Sequence, residues 1–327
     1  MTSSEPRLLL AVDAPSLLHR AYHAHGIAGL RDRGGRPAWA LHGMLRQLLE
    51  TIEAFSPDAV VLGLDDRASS VRAAAYPAYK AGRAAKDDAL VEQLERCGPL
   101  LDALGLLTVT PSGLEADDVS ASASTWAARS GWRCVIVTSD RDAFAHIGPT
   151  TEVLRLISGG GVQGSPLLNP TRFRALYDID AADYLAFAAL RGDASDNLPG
   201  VTGVGEKTAS LLLSRVGTMR EIWADIDHAG GATLVAALDA HCEEHGKRRI
   251  GERVRRSLTA PGAREQFESN LKLMAGRCDI DLGLQPDLPG SPGLLPRSAE
   301  AVRQVVDHLG VAETTRFAVR VLSGETG

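Results

Sequence analysis

The chain has 327 residues, of which 44% are hydrophobic and 23% are charged, a composition typical of a folded protein with one large or two ordinary domains. No apolar run approaches the ~18–20 residues that cross a bilayer, and the apolar start at 8–12 is too short for a signal peptide. The four cysteines lie far apart, so we expect reduced thiols in a cytoplasmic protein rather than a disulfide frame or a zinc site. The net charge of −6 argues weakly against a nucleic-acid partner, unless the acids cluster where cations neutralise them.

The first half of the chain alternates short apolar runs with helical patterns. Such alternation predicts an α/β fold with a mostly parallel sheet covered on both faces. The predicted strands are 8–12, 59–64, 106–110, 134–139 and 152–157, and the predicted helices between them are 40–55, 91–104 and 116–130. From about residue 181 the strand signals stop, and helical patterns broken by Gly-rich turns predict a second, mainly helical region.

Carboxylates follow three of the predicted strands. Asp13 comes directly after the first strand, Asp65 and Asp66 after the second, and Asp140 and Asp142 shortly after the fourth. Functional groups of open parallel sheets collect beyond the carboxyl ends of the strands. We therefore expect these acids to meet at one edge of the sheet.

Further carboxylates stand at two other places. The stretch GLEADDVSASAS (113–124) begins a predicted helix with Glu115, Asp117 and Asp118, and Asp193 and Asp196 are three residues apart in RGDASDN (191–197). Helix starts attract acids on their own, but crowded carboxylates raise one another's pKa and are stable mainly beside cations. All-oxygen ligands suit Mg²⁺ or Mn²⁺, and two such ions can cut phosphodiesters. No Cys/His cluster offers a zinc alternative.

The motifs of the chain resemble one known family over roughly residues 7 to 285. They are VDAPSLLHRAYHA, LGLDDRASSVR, YPAYKAGR, GLEADDVSA, TSDRDAF and RGDASDNLPGVTGVGEKTA. The chain resembles the bacterial 5′ nucleases, which include the 5′ nuclease domain of DNA polymerase I, stand-alone relatives and flap endonucleases. The resemblance implies a PIN-like sheet domain with a helical arch and a helix–three-turn–helix domain that holds duplex DNA. The expected ranges are 1–180 for the first domain, about 70–100 for its arch, 181–290 for the second, and 291–327 for a small appendage.

The resemblance also implies a site for two divalent ions, or three. The implied metal ligands are Asp13, Asp65, Glu115, Asp117 and Asp118 in a first group and Asp140, Asp142, Asp193 and Asp196 in a second. Asp66 matches no motif position and is interpreted as a loop acid that faces solvent. Without the nine site acids the rest of the chain is net positive, so the acidic total does not exclude DNA.

Cationic and aromatic residues complete the implied site. Lys80 would polarise the scissile phosphate, Arg20 would offset developing charge, and Arg72 and Arg83 would contact the DNA backbone. The residues expected to hold DNA by stacking, backbone approach or charge are Tyr22, Tyr76, Tyr79, Gly203, Gly205, Lys207, Lys247, Arg248 and Arg249. A K⁺ ion would assist at the 198–209 turn. Ordinary surface cations, partly buried tyrosines and a solvated basic helix at 246–256 are the alternative interpretations.

We therefore expect a structure-specific 5′ nuclease, a 5′-3′ exonuclease and flap endonuclease that cuts DNA or RNA–DNA in primer removal, replication and repair. At 327 residues there is no room for a polymerase module, so we expect a stand-alone monomer in the cytoplasm, associated with the nucleoid. Two alternatives stay open at this point. One is a non-catalytic protein of the same fold that binds branched DNA, and the other is an RNA-directed nuclease of the PIN type.

Overall fold

The computed structural model describes residues 5–24, 29–157 and 161–325. They form two compact units, and each is described by itself. The first unit comprises Met1–Ser70, Ala84–Leu168 and Gly276–Gly327, and the second comprises Val71–Arg83 and Asn169–Ala275. No described helix is long and apolar enough to cross a membrane.

The elements follow one another as alternating strands and helices, and then as helices. The strands are β1 (Leu8–Asp13), β2 (Ala59–Gly63), β3 (Leu107–Val109), β4 (Arg133–Thr138), β5 (Thr151–Arg155), β6 (Leu167–Leu168), β7 (Gly192–Asp193) and β8 (Leu198–Pro199). The helices are α1 (Ala14–Tyr22), α2 (Trp39–Phe55), α3 (Val71–Ala75), α4 (Asp88–Ala103), α5 (Ala116–Ser130), α6 (Pro170–Tyr177), α7 (Tyr184–Arg191), α8 (Glu206–Leu211), α9 (Met219–Ala229), α10 (Ala232–Glu244), α11 (Gly251–Leu258), α12 (Ala263–Met274), α13 (Ala299–Asp307) and α14 (Ala312–Ser323).

The first unit is built on a six-stranded sheet in the order β3-β2-β1-β4-β5-β6. Strands β1 to β5 are parallel, and β6 pairs antiparallel with β5. The central strands are buried along almost their whole length, because helices cover both faces of such a sheet. With β1 flanked by β2 and β4, the chain winds outward in both directions from β1, as in doubly wound folds.

Helix α2 shows how the sequence builds this core. Leu41, Leu45, Leu48 and Ile52 recur at helical spacing and are buried, so one apolar stripe faces the core. The predicted strands and helices of this half match the observed elements to within about three residues at each end.

The C-terminal segment belongs to the same core. Val302, Val306 and Leu322, on α13 and α14, are fully buried, and α14 packs on α2. Residues 291–327 were predicted as a small appendage without a readable motif. The compact unit includes them because α13 and α14 each carry an apolar face. The functional division at 180 and 290 stays a prediction.

The second unit is helical around an aromatic cluster of Phe173, Tyr177, Tyr184 and Phe187. It also contains the antiparallel pair β7 and β8, although no strand was predicted beyond about residue 181. Strands of two residues have no periodicity that a sequence pattern would reveal. The pair presents the loop 194–197, which carries part of the predicted site.

Candidate metal centre

Three neighbouring strands deliver carboxylates to one edge of the sheet in the first unit. Asp13 is the last residue of β1 and lies level with Gly63 at the end of β2, while Val12 pairs with Val137 of β4. Asp65 therefore follows β2, and Asp140 follows β4, on either side of Asp13. The three acids are close enough for the charges of Asp65 and Asp140 to raise the pKa of Asp13.

Asp13 is the acid whose ionisation this environment disturbs most clearly. Its Oδ1 accepts a hydrogen bond from the Ser16 amide at 2.9 Å, and its Oδ2 accepts one from the Thr138 hydroxyl at 2.9 Å. Burial raises the pKa of Asp13 to about 7, the neighbouring acids add to the shift, and the two hydrogen bonds oppose it. A carboxylate in this position is one that a divalent cation would stabilise in its charged form.

The N-terminus of α5 reaches the same edge because β2 ends in glycine. A Cβ built on Gly63 would lie 2.6 Å from the Ala116 carbonyl oxygen, so only glycine permits this approach. The Ala116 amide donates to Asp65 Oδ1 at 3.0 Å, which fixes the helix start against the loop after β2. Glu115 and Asp117, on the first turn of α5, are thereby carried to the acidic edge.

Asp118 differs from its neighbours because it anchors this helix. It is only 1% exposed, its Oδ2 accepts from the Glu115 amide at 3.0 Å, and its Oδ1 accepts from the Arg277 amide at 2.8 Å. Ser122 adds to this contact between α5 and residues 276–281, which we call the seam. Its hydroxyl donates to the Arg277 carbonyl and accepts from the Ile280 amide. These contacts favour a supporting role for Asp118, and its role as a metal ligand stays a prediction.

Asp66 has a structural role that the sequence did not reveal. Its carboxylate accepts hydrogen bonds from the amides of Ala68 and Gly113 and from the Ser69 hydroxyl. These donors lower the pKa of Asp66 to about 2. The residue was interpreted as a loop acid facing solvent, but it joins the loop after β2 to the turn before α5. The local signal of such a turn is an aspartate followed by a small residue two positions later, Ala68, and a serine three positions later, Ser69.

The second predicted acid group begins just after β4. Asp140 is exposed, its amide donates to the Thr138 hydroxyl, and its Oδ1 accepts from the Asp142 amide at 3.0 Å. Asp142 opens a short 3₁₀ turn, Asp142–His146. The two acids are held in one tight turn at the acidic edge.

The donor set at this edge suits hard cations that keep part of their water shell. Within residues 5–24, 29–157 and 161–325, no three of these acids have ligand oxygens within 4.8 Å of one another. Direct binding by a few carboxylates with water in the other positions is the usual mode for Mg²⁺. The one trio that meets this limit in those ranges is His241, Glu244 and His245 of the second unit. The sequence analysis expected no Cys/His cluster that offers a zinc alternative and missed this trio, which helical spacing brings together.

In the second unit, Asp193 is the last residue of β7, and Asp196 lies in the loop 194–197 between β7 and β8. Asp193 Oδ1 accepts from the amide and the hydroxyl of Ser195. Asp196 pairs with Arg83 at 2.6 Å and with Lys80 at 3.7 Å. The Lys80 backbone is left-handed, with φ 56°, and its amide donates to the Asp196 carbonyl at 3.0 Å. Lys80, Arg83 and Asp196 thus form one charged group on this unit.

Several other predicted residues are held by internal contacts. Arg72 is buried, and its Nε donates to the Leu273 carbonyl at 3.0 Å. Tyr79 is 6% exposed, and the Tyr22 ring lies tilted against the Trp39 ring, with centroids 5.3 Å apart. Arg20 lies in the last turn of α1, where its Nε donates to Gln47 Oε1 at 2.9 Å. Burial of Arg72 and Tyr79 favours structural roles for both, since backbone contact and base stacking require exposed groups.

The predicted duplex-binding residues lie in turns and exposed segments of the second unit. Gly203 has φ 82°, and a Cβ there would lie 2.4 Å from the Ser257 hydroxyl. Gly205 is the N-cap of α8, and Lys207 is exposed in its first turn. Lys247, Arg248 and Arg249 are all exposed between α10 and α11, and Arg249 pairs with Glu243.

The doubly wound sheet, with carboxylates at its carboxyl edge and a helical unit following, has the architecture of the PIN-like nucleases. Residues 8–177 match the family model of the 5′-3′ exonuclease N-terminal resolvase-like domain, and residues 179–287 match that of the 5′-3′ exonuclease C-terminal SAM fold.

Relatives and solved structures agree with this match. The chain is 34% identical over 228 residues to DNA polymerase I of Mycobacterium tuberculosis, which covers 70% of the chain and 25% of that protein. It is 32% identical over 289 residues to the thermostable DNA polymerase I of Thermus thermophilus, which covers 88% of the chain and 32% of that protein. The chain thus spans a third or less of these relatives.

Among solved structures, the T5 D15 protein co-crystallised with metal ions superposes with a TM-score of 0.61 at 18% identity, covering 97% of this chain and all of that one. The catalytic core of Rad2 in complex with a DNA substrate superposes with a TM-score of 0.55 at 14% identity, covering 97% and 92%. These two likenesses concern the fold. The family models and the DNA polymerase I relatives show that the chain belongs to the 5′-3′ exonuclease family.

Proposed function

We propose that this chain is a structure-specific 5′ nuclease, active as a 5′-3′ exonuclease and as a flap endonuclease. The observation that carries the proposal is the meeting of Asp13, Asp65 and Asp140 at the carboxyl edge of β1, β2 and β4, where burial raises the pKa of Asp13 and repulsion by Asp65 and Asp140 adds to the shift. Such repulsion costs stability in the folded chain unless cations offset it. An acidic edge of this kind in a nuclease family supports hydrolysis assisted by divalent ions.

The residues would divide the chemistry as follows. Asp13, Asp65, Glu115, Asp117 and Asp118 would hold one divalent ion, with the internal contacts of Asp118 and Asp66 fixing the loops that carry them. Asp140, Asp142, Asp193 and Asp196 would hold a second, partly through water. When bound, Mg²⁺ or Mn²⁺ ions would supply an activated water and neutralise charge on the phosphate. Lys80 would donate to the scissile phosphate, and Arg20 would add positive charge.

DNA would be held mainly by the second unit. The turn with Gly203 and Gly205 would let backbone amides approach a phosphate, and Lys207 would add charge. Lys247 and Arg248, with Arg249 after release from Glu243, would extend the contact along the duplex, and Arg83 would bind the single strand. A K⁺ ion at the 198–209 turn is part of this proposal.

The substrates proposed are 5′ flaps, 5′ ends and nicks in DNA or RNA–DNA, met in primer removal, replication and repair. The chain would act as a monomer in the cytoplasm, at the nucleoid. Phosphate contacts of this kind release counterions, so binding should weaken steeply with salt.

The test is product mapping on a double-flap substrate with a labelled 5′ end. We expect cleavage near the base of the flap with Mg²⁺ or Mn²⁺, leaving a 5′-phosphate and a 3′-hydroxyl, and none with EDTA. Asp140→Ala should lower cleavage by orders of magnitude while flap binding survives. A wild-type protein that binds the flap but leaves it uncut in both metals would instead be a non-catalytic branch-binding protein. Preferential cutting of an unstructured RNA would favour the RNA-directed alternative.

A further inference from the structure

The last turn of α10 carries a cluster of metal-ligand side chains that the nuclease chemistry does not use. His241, Glu244 and His245 each place a ligand atom within 4.8 Å of the others. Residues three and four apart lie on one helical face, which brings both rings and the carboxylate together. The ring centroids of the two histidines are 4.2 Å apart. His241 is half-buried, and the other two residues are exposed, so an ion has access from solvent.

A backbone contact orients one ring for metal binding. His245 Nδ1 lies 2.9 Å from the His241 carbonyl oxygen. A carbonyl oxygen only accepts, so Nδ1 carries the proton, and Nε2 of the neutral ring keeps its lone pair. Histidines that bind metals commonly donate their other N–H to a backbone carbonyl in this way, which fixes the tautomer and the ring orientation.

The helix end beneath the cluster is closed by hydrogen bonds. The Gly246 amide donates to the Glu243 carbonyl at 3.1 Å, and the Lys247 amide donates to the Cys242 carbonyl at 2.7 Å. Gly246 has φ 60°, the left-handed conformation that ends many helices. The three ligands thus project from a capped turn rather than from a fraying end.

We propose that His241, Glu244 and His245 form a binding site for a d-block divalent cation, with Zn²⁺ as its representative. Two imidazoles and one carboxylate are ligands that suit Zn²⁺, Cu²⁺ or Ni²⁺, whereas Mg²⁺ prefers oxygen alone. Three protein ligands leave a fourth tetrahedral position for water. The site is therefore distinct in chemistry from the carboxylate edge of the first unit.

The surrounding charges set the expected strength of binding. Arg215 and Lys247 act on His241 with positive charge, and Glu244 acts on it with negative charge. Arg215 and Lys247 also repel a cation, while Glu244 offsets part of that repulsion. We therefore expect an affinity in the micromolar range, weaker than that of buried structural zinc sites.

Occupation of the site would have a structural consequence for the same unit. An ion that bridges His241 and His245 would stabilise the last turn of α10. It would also reduce the freedom of the following basic segment, 246–250. Because the folded chain binds the ion and the unfolded chain loses the geometry, bound Zn²⁺ should raise the melting temperature.

The test is equilibrium dialysis of the full chain against Zn²⁺ in excess Mg²⁺, so that the carboxylate edge holds Mg²⁺. We expect one zinc ion bound per chain, and Co²⁺ in its place should show the intense visible absorption of a tetrahedral centre. His241→Ala and His245→Ala should each weaken zinc binding by at least about tenfold, and Glu244→Gln by less. His228→Ala is the matched control, because His228 is an exposed histidine in the last turn of α9, outside the cluster.

A second readout separates the site from loss of folding. Each variant should melt within a few degrees of wild type in EDTA, and only wild type, His228→Ala and, in part, Glu244→Gln should gain melting temperature with Zn²⁺. Equal zinc binding by wild type and His241→Ala, or no retention of zinc by wild type, would overturn the proposal. Neither result depends on cleavage, so the proposed nuclease function stands or falls separately.

Discussion

The two units hold their acids in opposite ways. At the edge of the sheet, Asp13 is hydrogen-bonded by an amide and a hydroxyl, which are neutral donors, and it faces Asp65 and Asp140. In the helical unit, Asp196 is paired with two cations of its own chain, Arg83 and Lys80. The first arrangement leaves charge repulsion in place, whereas the second neutralises its acid internally.

The difference teaches which acids depend on an added cation. Neutral donors orient a carboxylate without cancelling its charge. A divalent ion that binds at the sheet edge therefore stabilises the folded chain. Asp196 gains less, because an ion must compete with Arg83 and Lys80. The sheet edge is thus the primary candidate for ion binding, and in the proposed function the charged group of the second unit would have to exchange partners to bind DNA or metal.

The largest expected effect comes from removing the central acid of the sheet edge. Asp13→Asn keeps the shape of the side chain and removes its charge, so cleavage of a 5′ flap should fall by at least about 10³-fold. Flap affinity measured in Ca²⁺ should stay within a few-fold of wild type. If Asp13→Asn and Asp196→Asn lowered the rate equally, the contrast between the two acid groups would fail.

The next effect distinguishes a role in catalysis from a role in binding duplex DNA. Lys80→Ala should lower kcat by about 10²-fold with little change in duplex affinity, because the proposed role is stabilisation of charge on the phosphate. Alanine leaves the left-handed backbone at this position as unfavourable as lysine does, so the change reports mainly on the ammonium group.

Lys207→Ala is the matched control for Lys80→Ala. It should weaken duplex binding and reduce the salt slope by about one, with kcat at saturating substrate unchanged. Single-turnover rates and salt titrations measure the two effects. Equal losses of rate and affinity in Lys80→Ala would contradict its proposed role.

A smaller effect concerns packing beneath the acidic edge. In Gly63→Ala the new methyl group would meet the Ala116 backbone, so α5 must shift. We expect a loss of about 1–3 kcal/mol in the free energy of unfolding, with reduced cleavage. Urea titration gives the free energy, and Gly82→Ala is the control because a Cβ at Gly82 meets nothing within 4 Å. Unchanged stability and rate in Gly63→Ala would mean that α5 does not need this close approach.

The smallest effect is a pH dependence of stability in EDTA. The pKa of Asp13 is raised from 3.8 to about 7, so the metal-free folded chain binds a proton that the unfolded chain has released between these values. Stability should therefore fall as pH rises from about 4 to about 7. Asp13→Asn should melt close to wild type at pH 4 and a few degrees above it at pH 8. A melting difference independent of pH would show that Asp13 ionises normally.

The strands and the position of their acids could be predicted because apolar runs and the residues after them are local signals. The position of Asp13, Asp65 and Asp140 at one edge of the sheet follows from the parallel strand topology alone. The supporting contacts could not be predicted, because the Arg277 amide that binds Asp118 lies 159 residues away in sequence. Burial of Arg72 and Tyr79 is likewise a tertiary property. The histidine pair 241 and 245 had a readable helical spacing that the sequence interpretation missed.

The seam between α5 and residues 276–281 has a consequence for how the chain folds. During synthesis, β1 to β6 emerge well before the Arg277 amide that binds Asp118 and before α13 and α14, whose apolar faces complete the core. Most of the second unit, Asn169–Ala275, lies between these parts of the first in sequence, and Val71–Arg83 interrupts the first unit after β2. The sheet unit therefore closes through contacts of large sequence separation, which are slow to form. A nascent chain that has reached residue 275 would already carry every predicted ligand, but it would still lack the Arg277 amide that holds Asp118 and the start of α5 in place.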